Sequence, residues 1–509
     1  MFYLAGREEM QNIDRLTIEE DGIPGILLME RAAISILEEI NSRLKQGSDG
    51  DGRNVSGEKN RPLACLVVVE GGNNGGDGLA LARLLHQQGE QVQVCYINGL
   101  KRVSESFETQ LEIVKKLGID ILDTIPHEAY DVVVDGIFGV GLKRKIGGVW
   151  KDTIDIMNSM AGFKIAIDLP SGVDASTGQI LETAFRADLT VTFGLYKRGL
   201  MLYPGCDMAG TVVVRDIGFS KEAIDKVAPV AYAYDTSDMT RLPARVNSSN
   251  KGTYGRVAVI AGSRDMSGAA SYAAEAVYRV GAGLVKVYTH TYNRNVIGCT
   301  VPEAVLMFYD DEESAVCCAE DALNWADVIL IGPGLGRSPE ACAMVKIIVN
   351  RAEQPVVVDA DALNIISCDL DILRDHRGPV IITPHMGEMA RLTGMAITDI
   401  KKNILKVCKD FAMEYNIIDV LKDARTTVSS GDKVYINTSG NNGMSTAGAG
   451  DILAGIIAGL IATGLMPEDA APLGVYIHGL AGDAAAGYRG KTGMIARDIV
   501  DAIPQVIRD

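Results

Sequence analysis

The chain has 509 residues, more than one ordinary domain holds, so two to three domains are expected. With 47% hydrophobic and 23% charged residues it can build sizeable cores. Its 49 basic and 66 acidic residues leave a net charge of −17. That charge disfavours nucleic acid and anionic membranes as partners, yet allows a small anionic ligand held at a helix N-terminus.

The opening MFYLAGREEMQ lacks the basic segment and apolar run of a signal peptide. Glu8 to Leu44 reads as two helices interrupted near Asp21–Gly25, and Gln46 to Pro62 is a polar, glycine-rich surface loop. Strand and helix then alternate. LACLVVV leads through a glycine loop to a helix from Leu79 to Gln88 and the strand QVQVCYI. Further strand runs lie at Asp131–Val134, Lys164–Ile167, Leu189–Thr192 and Thr211–Arg215, which indicates a mainly parallel sheet covered on both faces.

Alternation pauses between Gly218 and Asn250, where the domain junction is placed. A second series follows: RVAVIAG, a helix after Ser267, GLVKVYT, DVILIGPG, PVVVDA, PVIIT and IIDVLK. It does not repeat the first at a fixed period, so two different α/β domains are expected. The longest apolar run, Ile452 to Met466, is shorter than the roughly 20 residues that span a bilayer and reads as a buried core helix. The nine cysteines, Cys65, Cys95, Cys206, Cys299, Cys317, Cys318, Cys342, Cys368 and Cys408, are scattered with no CxxC pair. They read as reduced thiols of a cytoplasmic protein.

Three loops of the first half carry candidate chemistry. Strand LACLVVVE enters Gly71-Gly72-Asn73-Asn74-Gly75-Gly76-Asp77-Gly78 and then a helix, which makes an anion site from exposed N–H groups and the helix dipole. A tight turn would explain the glycines alone, but Asn73, Asn74 and Asp77 add side chains that a turn does not need. Asp135 ends the strand DVVVD and Asp168 ends KIAID, at the strand ends where open parallel sheets bind ligands.

GNNGGDG, DGIFGVGLKRKI and IDLPSGVD resemble the three signature loops of the NAD(P)HX epimerase family, in order and spacing. The resemblance spans roughly the first 220 residues and implies a Rossmann-like three-layer α/β/α epimerase domain over residues 1–222. It implies that Asn73, Asn74, Gly75, Gly76, Asp77, Gly139, Val140, Gly141, Leu142, Lys143, Arg144, Lys145 and Asp168 contact the hydrated nucleotide. It also implies a potassium ion on Asn74, Asp135 and Ser171; the residues themselves call only for a hard cation. Asp168 is the candidate acid/base for exchanging stereochemistry at the hydrated carbon.

In the second half Gly448-Ala449-Gly450-Asp451 opens the apolar helix, with glycines for a phosphate cradle and Asp451 to take a proton from an attacking hydroxyl. An aspartate favoured by the helix dipole is the plainer reading, which an entirely apolar helix behind it makes improbable. The pattern resembles the ribokinase-like fold. KGTYGRV with VIAGS, Gly332-Pro333-Gly334-Leu335-Gly336, DADALN from Asp359 and TPHMGE from Thr383 narrow it. Together they resemble the ADP-dependent NAD(P)HX dehydratase family, which implies a ribokinase-like α/β/α domain over residues 223–509.

The dehydratase resemblance implies substrate contacts from Gly255, Gly334, Leu335, His385 and Asp451, with Asp451 catalytic. It places ADP at Lys422, Asp423, Ala424, Arg425, Thr426, Gly448 and Gly450, with magnesium on the phosphates. Asp423 stands where the family has glycine, and Met386 where it has proline. The implied activity is epimerisation of R- and S-NAD(P)HX, then dehydration of the S epimer at the expense of ADP, giving AMP and phosphate. The rival is a vitamin or sugar kinase fused to a non-catalytic nucleotide-binding module. A homo-oligomer is expected.

Overall fold

A computed structural model describes residues 1–45, 61–97, 103–126 and 128–507. The polar loop read between Gln46 and Pro62 lies almost wholly outside the described residues. The chain divides into two compact units: Tyr3–Val230, and Ala231–Asp509 together with Met1–Phe2.

The first unit holds seven strands in the order Asp120–Leu122, Gln91–Tyr96, Ala64–Val69, Val132–Gly136, Phe163–Ile167, Leu189–Phe193 and Thr211–Arg215. Every neighbouring pair is parallel. The period-two pleat explains why both faces are apolar: Cys65, Val67 and Val69 enter one core and Leu66 and Val68 the other. The chain runs outward from Ala64–Val69 in one direction and from Val132–Gly136 in the other. The crevice between these two strands, at their C-terminal ends, is where such sheets bind ligands.

The expected helix pair appears as Arg7–Glu19 and Gly25–Ile40. The second presents Leu28, Met29, Ala32, Ile36 and Ile40 to the core at three- and four-residue spacing. A strand that sequence reading missed is Tyr196–Lys197, two residues long and without hydrophobic alternation.

In the second unit Leu284–His290, Arg256–Ile260, Val328–Ile331, Val356–Val358, Val380–Ile382 and Ile418–Leu421 lie in that order, each neighbour pair parallel. Val305–Tyr309 adds an unforeseen edge strand beside Leu284–His290. After Ile418–Leu421 the sheet turns antiparallel through Thr427–Ser429 and Val434–Ile436. The five-residue connection Lys422–Thr426 cannot carry the crossover a parallel pair needs, so the local departure from a parallel sheet follows from loop length.

Helix Ala449–Ala462 is buried along nearly its whole length, as its composition requires. Its Gly455 and Gly459 face helix Ser267–Arg279. A Cβ at Gly455 would collide with the Ala273 carbonyl oxygen, and one at Gly459 would lie 2.9 Å from that of Val277. Among the described residues no helix is long and apolar enough to cross a membrane. All nine cysteines are free thiols.

Candidate active sites

The crevice of the first unit is a cavity of about 770 Å³ lined by all three signature loops. Asn73, Asn74 and Asp77 line it from one side, Gly139 to Arg144 from another, and Asp168 from a third. The helix starts at Asn73 rather than at Leu79, with Gly72 in extended backbone and the Gly76 N–H bonded to the Gly72 carbonyl at 3.0 Å. Tertiary packing overrides the low helix propensity of these glycines.

Gly75 and Gly76 do not line the cavity. A Cβ at Gly75 would collide with the Glu70 carbonyl oxygen, and one at Gly76 with the Met29 methyl. The absence of a side chain at both therefore serves close packing. Lys145 is also absent from the lining; it is 84% exposed, with Nζ 3.9 Å from Glu182 Oε2.

Asp135, on strand Val132–Gly136, is fully buried. Its Oδ1 accepts from Ser171 Oγ at 2.6 Å and from Ile137 N–H at 3.1 Å, and its Oδ2 from Ser171 N–H at 2.7 Å. Burial pushes its carboxyl up to about 6, against those three hydrogen bonds. The Asn74 amide abuts Gly139, where a Cβ would lie 2.9 Å from its Oδ1. Its Nδ2 is buried with no hydrogen-bond partner. Asn74, Asp135 and Ser171 thus gather at the Gly139 loop.

Asp168 sits in the left-handed region, φ 63°, at the end of strand Phe163–Ile167. Its Oδ1 is 2.6 Å from Lys197 Nζ and accepts from Thr192 Oγ1 at 3.1 Å. Lys197, 1% exposed, was not singled out in the sequence, where LYKRG offers no spacing signal. Asp14, on helix Arg7–Glu19, and Glu70 also line the cavity unforeseen. Asp77 is held well above the carboxylate range by burial, Asp168 and Asp14, and Asp14 is raised by burial and Asp168. Glu70, 2% exposed, is lifted to about 7 by burial, opposed by Gly71 and Gly72 amides and by Arg144.

In the second unit the strand ends converge on the start of helix Ala449–Ala462. Lys422 Nζ donates to Asp359 Oδ1 at 2.8 Å, and Thr383 Oγ1 donates to the same oxygen at 2.6 Å. A Cβ on Gly450 would lie 3.2 Å from Lys422 Nζ, which puts the ammonium beside the first helical turn. Burial works against that ammonium, but Asp359, Glu388 and Asp451 hold its pKa above the lysine value. Asp451 is pushed up to about 7 by burial and by Asp359, with Lys422 opposing. Gly448 is left-handed, φ 93°, and a Cβ there would meet the Tyr272 ring at 2.9 Å.

His385 follows strand Val380–Ile382 and caps helix Met386–Thr393, its Nδ1 accepting from Gly387 N–H at 2.9 Å. Its Nε2 is 3.4 Å from Glu388 Oε1, and burial with nearby Lys422 and Arg391 lowers its pKa. Glu388 rises to about 7 through burial, with Lys422 opposing. Sequence reading named the motifs that carry Glu388, Asp359 and Asp361 without giving these carboxyls a role. Asp361 Oδ2 accepts from Gly336 N–H at 2.9 Å, which ties the Gly332–Gly336 loop to the cluster.

The remaining expected contacts divide. Gly334 is left-handed, φ 58°, while Leu335 is buried. Gly255 lies apart from the other expected contacts. It precedes strand Arg256–Ile260, and a Cβ on it would collide with the carbonyl of Ala462, at the far end of the helix from Asp451. At 1.5 Å rise per residue Ala462 is about 17 Å along the helix from Asp451. Asp423 Oδ1 lies 3.3 Å from Lys401 Nζ, and Arg425 Nη1 donates to the Thr438 carbonyl at 2.9 Å. Ala424 is exposed, and Thr426 Oγ1 donates back to the Asp423 carbonyl at 3.4 Å. The carboxylate that replaces the expected glycine therefore has its own cation.

Residues 257–505 match a family described as NAD(P)H-hydrate dehydratase, and residues 26–199 match the YjeF-related protein N-terminus. A crystal structure of the ADP/ATP-dependent NAD(P)H-hydrate dehydratase from Bacillus subtilis, co-crystallised with ATP/Mg2+, is 29% identical. It covers 53% of this chain and 96% of its own, with a TM-score of 0.48. The bifunctional NAD(P)H-hydrate repair enzyme Nnr of Moorella thermoacetica is 37% identical over 100% of this chain and 97% of its own length. That of Escherichia coli is 33% identical over 87% of this chain and 84% of its own. Matched end to end at this identity, the chain belongs to the bifunctional NAD(P)H-hydrate repair enzyme family.

Proposed function

We propose that residues 1–222 epimerise R- and S-NAD(P)HX and that residues 223–509 dehydrate the S epimer to NAD(P)H, consuming ADP and releasing AMP and phosphate. The observation that carries this reading is that each unit has its own carboxylate site at the C-terminal ends of parallel strands, Asp168 in one and Asp451 in the other. In the first, Asn73, Asn74 and the Gly139–Arg144 loop receive the dinucleotide, and Asp168 moves the proton. In the second, Asp451 takes the proton of the substrate hydroxyl as it attacks the terminal phosphate of the nucleotide, held at Gly448–Gly450 and Lys422. Phosphate then leaves more readily than hydroxide, and elimination restores the dihydronicotinamide.

Two cations fit the residues present. Magnesium bridging the nucleotide phosphates would offset developing charge. Asp359, Asp361, Asp451 and Glu388 outnumber Lys422 around the helix start, which favours a divalent cation there. Potassium is assigned to Asn74, Asp135 and Ser171. Asp135 is a fully buried carboxylate whose hydrogen-bond donors are neutral, and exchange of the Asn74 amide oxygen and nitrogen would turn an acceptor into the pocket. Its charge would offset that of Asp135 and steady the loops around the pyrophosphate.

The test is to incubate mixed hydrated NADH epimers with ADP and magnesium and follow the return of dihydronicotinamide absorbance and of free phosphate. Full recovery of both epimers with stoichiometric phosphate is expected. A stable phosphorylated product would instead identify a small-molecule kinase, and recovery of the S epimer alone would leave the first unit without its activity.

A further inference from the structure

Lys197 is the observation the reaction outlined above does not use. Its side chain is 1% exposed, its Nζ lies 2.6 Å from Asp168 Oδ1, and it donates to the Phe193 carbonyl at 2.7 Å. Thr192 Oγ1 also donates to Asp168 Oδ1, at 3.1 Å, and Phe193 N–H approaches that carboxylate oxygen at 3.5 Å. All these donors meet Oδ1, so Oδ2 is the oxygen left to act on a ligand. Asp168 sits in left-handed backbone, φ 63°, a region sparsely used by residues other than glycine.

The charged groups that face Asp168 come from three elements. Asp14 projects from helix Arg7–Glu19, Asp77 from helix Asn73–Gln87, and Lys197 from strand Tyr196–Lys197. All four line the same cavity. Three carboxyls thus share one ammonium, and the ammonium is in contact with only one of them. A carboxyl among other carboxyls with no cation of its own holds its proton more tightly, while a bonded cation favours the charged form.

We propose that Lys197 is a positioning residue of the epimerase reaction, which holds Asp168 as the carboxylate base and leaves Asp77 as the carboxylic acid of the same site. The proposal rests on the epimerase reading of this unit. Water adds to the enamine of a dihydronicotinamide with its oxygen on the carbon bonded to nitrogen, so that carbon is the one inverted. Asp77 gives its proton to the departing hydroxyl, the C–O bond breaks, and the nitrogen lone pair forms a C=N bond. A water then bonds to the opposite face of that carbon, its proton passes to Asp168 Oδ2, and the electron pair returns to nitrogen. One proton has moved from Asp77 to Asp168, and its return resets the site. Opposite protonation states in neighbouring carboxyls are the means by which one site holds both an acid and a base.

The experiment measures R-to-S conversion against pH in the full chain for wild type, Lys197→Gln and Thr192→Val, with chemical denaturation of the first unit, followed by circular dichroism, as the folding control. Wild-type conversion is the condition for the epimerase reading, and its absence would refute that reading and the inference with it. With conversion present, Lys197→Gln is expected to lower kcat by about 10²-fold or more while KM stays within a few fold. Loss of the neighbouring ammonium removes what favours the charged base, so the acid limb of kcat/KM is expected to move to higher pH. Thr192→Val removes one donor from the same oxygen and is expected to move that limb the same way by less. An unmoved limb in Lys197→Gln overturns the proposal. Should that variant fail to fold, an unmoved limb in Thr192→Val overturns it.

Discussion

Asp451 must be ionised to take a proton, and its surroundings decide when it is. Burial and Asp359 push it up to about 7, so the fraction of competent enzyme rises with pH through that region. The acid limb of kcat/KM for dehydration is therefore expected near pH 7. Glu388 also rises to about 7, and Glu388→Gln separates the two: the limb persists in that variant if Asp451 owns it. Asp451→Asn is expected to cost 10²–10⁴-fold in dehydration and to leave epimerisation at its wild-type rate. Near-normal dehydration by this variant would refute its role as base. Asp135→Ala should lose epimerisation in potassium buffer, and wild-type rates should fall when potassium is replaced by a bulky organic cation at equal ionic strength. Equal rates in both buffers would refute the assigned cation.

Elements are where the glycines divide by purpose. Gly75 allows the first turn of helix Asn73–Gln87 to lie against the Glu70 carbonyl, so Gly75→Ala must displace backbone rather than a side chain. A loss of about 1–3 kcal/mol in chemical denaturation of the first unit is expected, with the dehydratase retained. Gly255 is left-handed, φ 76°, against the end of helix Ala449–Ala462, so Gly255→Ala should lower stability without changing KM for the S epimer. A raised KM in folded protein would restore Gly255 to the site. The same glycine types in GNNGGDG read as a phosphate loop in sequence. Only the packing of Gly75 on Glu70 and Gly76 on Met29 reveals that these two hold a helix against its neighbours.

At the scale of the whole molecule, each unit carries its own run of parallel strands and its own carboxylate cluster. A fragment beginning near Asp225 retains strand Ala231–Ala233, which pairs with Val434–Ile436, and every residue of the Asp451 cluster. It is expected to fold, to dehydrate the S epimer and to leave the R epimer unconsumed beyond its spontaneous conversion. Consumption of the R epimer by the fragment at the full-length rate would contradict the division of labour.

The sequence by itself determined the two α/β series, the strand ends that carry Asp135, Asp168, Asp359 and His385, and the apolar helix behind Asp451. These are local properties: β-branched runs bury both faces of a strand, and a helix without polar positions has only a core to enter. What only the tertiary structure decided is which charges meet. Lys197 lies in a two-residue strand with no periodicity, and Asp14 on an ordinary amphipathic helix; the fold brings both to Asp168. Gly255 sits beside a recognisable motif yet at the wrong end of its strand, because a parallel sheet gathers its ligand groups at one edge only. Ion pairing across elements depends on chain crossing and burial, and neither leaves a pattern in neighbouring residues.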